Sequence, residues 1–297
     1  MSAAPGLTRV LTRYADGRSE LSLDPDLRVF VADLVRPYGL PLREDLLAEG
    51  VGHAYEELAA GLLTEALGPD EPADVLIQAF DSPDVRPGAP TSLALSRSCA
   101  GTPTALALCD QGTAGAFAAL RAALAYQRTG VARRAVVVLA EQTALHHRPP
   151  EPVTLPDRHC AVVLVCETLP GEELTVRQDS GAAIGAAGSV DPAGSVGSFG
   201  SSGSFGSAYS PDSVAEEVRR QAKALGEEAA VLLAAGLEVP GLDAVRVPAG
   251  QPFTGLWSAL ADRLPDWRSE RRPVLLADLD RRLGVLSTLT LRAGPPS

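Results

Sequence analysis

The 297-residue sequence predicts an α/β protein, and three observations carry that expectation. First, Ala73–Phe80, Arg134–Glu141 and Cys160–Glu167 are continuous apolar runs, as suits strands of a parallel sheet covered on both faces. Second, Pro41–Ala66 has helical spacing, with Leu46, Leu47, Val51, Tyr55, Leu58, Leu62 and Leu63 recurring every three or four residues. Third, Thr104–Leu108 runs to Cys109, the polar elbow Asp110-Gln111-Gly112-Thr113 follows, and Ala114 opens a proline-free segment whose first charge is Arg121. That order reads as strand, tight turn and buried helix.

The remaining elements follow in chain order. Leu7–Tyr14 and Leu27–Leu34 read as strands, separated by polar turns at Asp16-Gly17 and Asp24-Pro25. Leu67-Gly68-Pro69 stops the helical period. Asp81–Ala89 is a proline-rich surface loop, and Thr91–Ser98 is a short helix. Residues 180–210 are mostly Gly, Ser and Ala, the composition of a flexible linker. Ser210-Pro211-Asp212 opens a helix over Ser213–Leu225. Ala230–Ala235 is a short strand or helix, Asp243–Val247 a short strand, and Thr254–Leu264 a helix. Val274–Asp280 and Val285–Arg292 form a terminal pair of strands.

Composition removes several classes of function. Hydrophobic residues make up 45%, yet there are only 6 Phe, 2 Trp and 5 Tyr, so the core must be aliphatic. A net charge of −11 with no Lys/Arg run fits nucleic acid poorly. No apolar run approaches the ~20 residues that span a membrane. Cys99, Cys109, Cys160 and Cys166 contain no Cys-x-x-Cys pair and read as reduced and mostly buried, which places the protein in the cytoplasm. Met1–Gly6 lacks the basic start and apolar core of a signal peptide. His53, His146, His147 and His159 do not space as metal ligands, and His146-His147 reads as a solvated loop pair. Gly181–Gly188 only loosely matches a dinucleotide fingerprint, because no helix follows it.

The elbow is the place for chemistry. It sets Thr113 at a helix amino terminus, where free N–H groups and the positive dipole end could serve a nucleophile or an anion. Taken on local pattern alone, Thr113 is first an N-cap, a role threonine favours.

Four stretches then stand in a familiar order: Thr113-Ala114-Gly115-Ala116-Phe117-Ala118-Ala119-Leu120-Arg121-Ala122-Ala123, Val136–Glu141, Asp157–Leu164 and Thr254–Arg292. Together they resemble the thiolase-like superfamily, in its ketoacyl synthase III and chain-length-factor branch. The resemblance implies two βαβαβαββ halves layered α-β-α-β-α, with the second half shortened. Residues 1–170 would form the first half, and residues 171–297, including the Gly/Ser tract, the second. It implies no cofactor and no metal.

The departures from that family bear on function. The resemblance places the family's nucleophilic cysteine at Thr113. The family draws its His and Asn from the second half, but no His follows His159 and the chain has no Asn. Where the family's Asn precedes the last long helix, the chain reads Ala249-Gly250-Gln251-Pro252-Phe253. The implied function is a non-catalytic, chain-length-factor-like subunit in fatty-acid or polyketide-type biosynthesis. Its partner would be a catalytic ketosynthase in a heterodimer or heterotetramer, with an acyl carrier protein reached through that partner. Cys109, Asp110, Gln111, Thr113 and Phe117 would line the tunnel or the interface, and Thr104–Cys109 would pair with the partner's strand. The alternative is an acyltransferase or condensing enzyme using Cys109 or Thr113, with His147 or His159 as base. Asp110 beside Cys109 works against that thiol.

Overall fold

The computed structural model describes residues 3–86, 88, 90–170, 172–180 and 210–293. The Gly/Ser tract and the Gly181–Gly188 pattern lie outside the described residues.

Strands β1 (Ala3–Ala15), β2 (Val75–Ala79), β3 (Thr104–Leu108), β4 (Arg134–Glu141) and β5 (His159–Pro170) make one sheet in the order β1-β5-β4-β2-β3. Strands β6 (Glu172–Ser180), β7 (Ala230–Leu233), β8 (Val245–Arg246), β9 (Val274–Asp280) and β10 (Val285–Ala293) make the other, in the order β6-β10-β9-β7-β8. The two sheets share one plan. In the first, β5 is antiparallel to β1 and β4, while β2 is parallel to β4 and β3. In the second, β10 is antiparallel to β6 and β9, while β7 is parallel to β9 and β8. Strands β4 and β9 therefore hold equivalent middle places.

Alternation of side chains along each strand divides the core into layers. The inner faces of both sheets, with Val137, Leu139, Leu232 and Leu276, pack on α5 (Ala114–Arg128) and on Leu256, Trp257, Leu260 and Leu264 of α7 (Gly255–Ser269). The outer face of the first sheet packs on α3 (Tyr55–Ala66) and α4 (Thr91–Ser96), through Leu58, Leu62, Leu63 and Leu95 against Val136, Val138 and Val163. The outer face of the second packs on α6 (Pro211–Leu225), through Val214 and Val218 against Leu275 and Leu286. The order of layers is α-β-α-β-α. Small side chains let the central helix fit between two sheets: Ala116, Ala119 and Ala123 are fully buried.

Three sequence expectations need correction. Leu27–Leu34 is not a strand but lies in helix α1 (Pro25–Val35). Its buried residues Leu27, Val31 and Val35 recur every four positions, Asp24 accepts the Asp26 N–H as N-cap, and Pro25 starts the first turn. The helical period of Pro41–Ala66 is two helices, α2 (Glu44–Glu49) and α3, because Gly50 takes a left-handed φ of 68° and ends the first. The His146-His147 pair is not solvated. His146 is buried against Val51, whose carbonyl lies 2.8 Å from Nε2. Strand β6 was not anticipated. Among the described residues no helix is long and apolar enough to cross a membrane.

Candidate functional site at the amino end of the central helix

Strand β3 ends at Leu108, and the chain turns through the elbow into α5. Asp110 and Gly112 both take positive φ, 60° and 52°, which makes the turn tight. Thr113 sits at the N-cap position, but in a helical conformation (φ −67°, ψ −21°) in which its side chain makes no cap. Its hydroxyl is buried beside the Asp278 carboxyl, without a hydrogen bond of ordinary length and angle. The cap comes instead from the other half of the chain. The Thr113 N–H donates to Asp280 Oδ2 at 2.9 Å, and Asp280 Oδ1 accepts the Leu283 N–H at 2.8 Å. A Cβ at position 112 would stand 1.8 Å from Asp280 Oδ2, so the elbow needs glycine there for space as well as for φ.

The alternation of β9 turns Asp278 and Asp280 to the same inner face as Leu276. Both are buried. Burial pushes the Asp278 carboxyl up to about 6, the Thr113 hydroxyl opposes that shift, and neighbouring Asp280 adds to it. Asp81 is also raised, first by burial, against the opposing pull of Arg282, which stands 3.8 Å away.

Thr113, Phe117 and Asp278 line a cavity with Ala235, Gln251 and Trp257. Its volume is about 10 Å³, which is room for roughly one water. Phe117 and Trp257 pack against each other in its wall, with ring centroids 4.9 Å apart. Gln251 arrives where the resemblance looks for an asparagine, but its amide is held: Nε2 donates to Glu141 at 2.9 Å, and Oε1 accepts the Arg158 N–H at 2.9 Å. The loop after β7 contributes Ala234 and Ala235 to the wall, with no titratable side chain between them. Among the described residues no group of three or more His, Cys, Asp or Glu is placed to hold a metal ion.

The other sequence candidates are not brought to this cavity. Cys109 is exposed on the elbow, with Sγ 3.4 Å from Asp110 Oδ2. Its partial burial and then Asp110 raise the thiol above its usual value, the opposite of activation. Exposed Asp110 and half-buried Gln111 flank it on the turn. His159 opens β5 one residue before Cys160, whose side chain faces the central layer, so His159 faces outward. It packs there on His53, ring centroids 4.6 Å apart, and the sheet itself separates it from Thr113. Burial holds its imidazole down at about 4, with His53 lowering it further. His147 is bridged to Leu42 on the loop after β4.

The sequence reading did not single out Asp278 or Asp280. The available signal was two carboxylates at alternate positions of the otherwise apolar run Val274–Asp280, since buried charges need an assigned partner.

No protein-family model matches the sequence, and no curated protein matches it. Solved structures do match its fold. The tetronic acid condensing enzyme AbyA1 superposes with a TM-score of 0.59 at 16% identity, over 98% of this chain and 100% of that one. The acyltransferase ChlB3 gives 0.59 at 18%, over 99% and 98%. The 3-oxoacyl-(acyl-carrier protein) synthase of Burkholderia xenovorans gives 0.59 at 16%, over 99% and 95%. With its two like sheets and buried central helices, the chain has the thiolase-like fold, in the arrangement of ketoacyl synthase III-like condensing enzymes.

Proposed function

We propose that this chain is a non-catalytic ketosynthase-like subunit. It pairs with a catalytic ketosynthase in fatty-acid or polyketide-type biosynthesis and shapes the acyl tunnel of the pair. The single observation that carries the reading is the narrowness of the site. A cavity of about 10 Å³ at Thr113 has no room for an acyl chain or a pantetheine arm, and the packed rings of Phe117 and Trp257 line it. The site's chemistry agrees. Among the described residues no thiol and no imidazole lines the cavity, and the N–H of Thr113, just ahead of α5, is already given to a carboxylate. Acyl condensation needs a populated nucleophile and donors for the developing oxyanion.

Pairing is supported by β3. It is one of the two edge strands of its sheet and, among the described residues, is paired with β2 alone, with Thr104 and Ala107 exposed. Cys109, Asp110 and Gln111 lie just beyond that edge, where they would meet a partner's tunnel. Co-expression with a ketosynthase that carries its own Cys, His and Asn tests the reading. The expected result is co-elution on gel filtration and a ketosynthase impaired without this chain. A ketosynthase that elutes alone and is fully active alone overturns it.

The second reading is acyl transfer by the chain itself, and one observation favours it: the buried Thr113 hydroxyl shares its cavity with the Asp278 carboxyl. On that reading Asp278 would take the hydroxyl proton as Thr113 attacks an acyl thioester, leaving an ester on Thr113 and a free thiol. The cavity must first open for the acyl group to enter.

A further inference from the structure

Thr113 differs from a nucleophile by more than its hydroxyl. An anion already occupies the amino end of α5, supplied by the chain. Helix amino termini attract anions because their free N–H groups and the dipole point outward. Here the Asp280 carboxylate takes the Thr113 N–H at 2.9 Å, the donor that a group reacting at position 113 would need. Its fit is built in. Gly112 leaves just enough space for Oδ2, and the Leu283 N–H fixes Oδ1.

The surrounding charge has the same sign. Asp278 and Asp280 come from β9, Asp81 from the loop after β2, and Asp110 from the elbow itself. Arg282, paired with Asp81, stands against them, with Nη2 3.4 Å from where a Gly112 Cβ would lie, and Arg281 next to Asp280 is turned to the Gly236 carbonyl. A thiolate, an oxyanion or a phosphopantetheine phosphate arriving here meets carboxylates that no equal number of cations offsets.

We propose that Asp280 is an internal anion that blocks the amino end of α5, an autoinhibitory contact that keeps position 113 silent whatever side chain it carries. It follows that a cysteine at position 113 does not by itself rebuild a ketosynthase nucleophile. This deepens the non-catalytic reading and rests on it for the choice of position. Its test reads a titration, whereas that reading is tested by co-elution, so each can fail alone.

The experiment replaces Thr113→Cys in the full chain. The thiol is titrated by thiolate ultraviolet absorbance, taken as the difference from the parent so that the native cysteines cancel. A free cysteine titrates at about 8.5, and helix amino termini ordinarily lower that value. The expected midpoint lies above about 8.5. Adding Asp280→Asn keeps a capping oxygen, since asparagine is a good N-cap, and removes the charge. The midpoint then falls by about one unit or more, a tenfold change in the thiol's ionisation constant. Adding Asp278→Asn instead produces a smaller fall, because Asp278 does not bond the helix N–H. A Thr113→Cys midpoint at or below about 8.5 with Asp280 in place overturns the proposal, as does a midpoint that Asp280→Asn leaves unmoved. The single variant is decisive alone should the double variant fail to fold.

Discussion

Glu141 and Thr254 belong to opposite halves of the chain, yet the Glu141 carboxylate accepts the Thr254 N–H at 3.0 Å and its hydroxyl at 2.5 Å. It also accepts the Phe253 N–H at 3.0 Å. Glu141 is the last residue of β4 and caps α7, while Asp280 is the last residue of β9 and caps α5. Each half thus closes the helix of the other with a carboxylate from its middle strand. The exchange couples the sheets at the point where the family resemblance looks for catalysis.

Removing the Glu141 side chain exposes the strength of that coupling. Glu141 is 1% exposed, and burial raises its carboxyl while the Thr254 hydroxyl, the Phe253 and Thr254 N–H groups and Gln251 oppose the shift. Glu141→Ala leaves those donors buried and unpaired, which costs about 3 kcal/mol. Glu141→Gln keeps an accepting oxygen and costs about 1 kcal/mol. Urea unfolding of the two variants against the parent checks both the loss and the order.

Gly112→Ala disturbs the other cap. Its φ of 52° is unfavourable for alanine, and its methyl would overlap Asp280 Oδ2. The expected destabilisation is about 2–3 kcal/mol, the sum of left-handed strain and a displaced helix cap. Combining it with Asp280→Ala removes the clash, so the double variant loses less than the sum of the single losses. Thermal or urea unfolding of the three variants measures the coupling.

Asp278 gives the fold a pH dependence of known sign. Its folded value of about 6 lies above the ordinary aspartate value of 3.8, so the folded state holds the proton more tightly. The stability this contributes is fully present below 3.8 and is lost as pH rises through about 6. Asp278→Asn removes the charged form and raises stability near neutral pH by about 1–3 kcal/mol. The gain vanishes under acid conditions below the unfolded value. Urea melts at neutral and at acid pH read the difference directly.

The sheets were legible where burial is complete on both faces. Val136–Leu139 and Val162–Val165 are fully buried, and their unbroken apolar runs could hardly be anything but central strands. Helix α5 was legible from its alanines and the elbow before it. Helix α1 misled because Leu27, Val29 and Val31 also alternate as a strand would, and Val29 and Phe30 remain exposed. The Asp24-Pro25 pair, which as a sequence also suits a turn, starts the helix. Strand β6 was obscured because only Leu174 of its side chains is fully buried and polar residues interrupt the pattern.

Of the candidate site, the position of Thr113 could be read from the strand–turn–helix order. Its capping partner could not, because Asp280 lies 167 residues away and meets it through the packing of one half against the other. A separation of 113 residues hid the role of Glu141 in the same way, and Glu141 stood out only as the end of an apolar strand.

The central claim is that position 113 carries no acyl chemistry. Intact-protein mass spectrometry of the purified chain, after incubation with acyl-carrier thioesters, tests it most directly. The expected result is an unchanged mass and no condensed product until a catalytic ketosynthase is added. A stoichiometric acyl adduct that maps to Thr113 or Cys109 and is lost on Thr113→Ala or Cys109→Ala would contradict it.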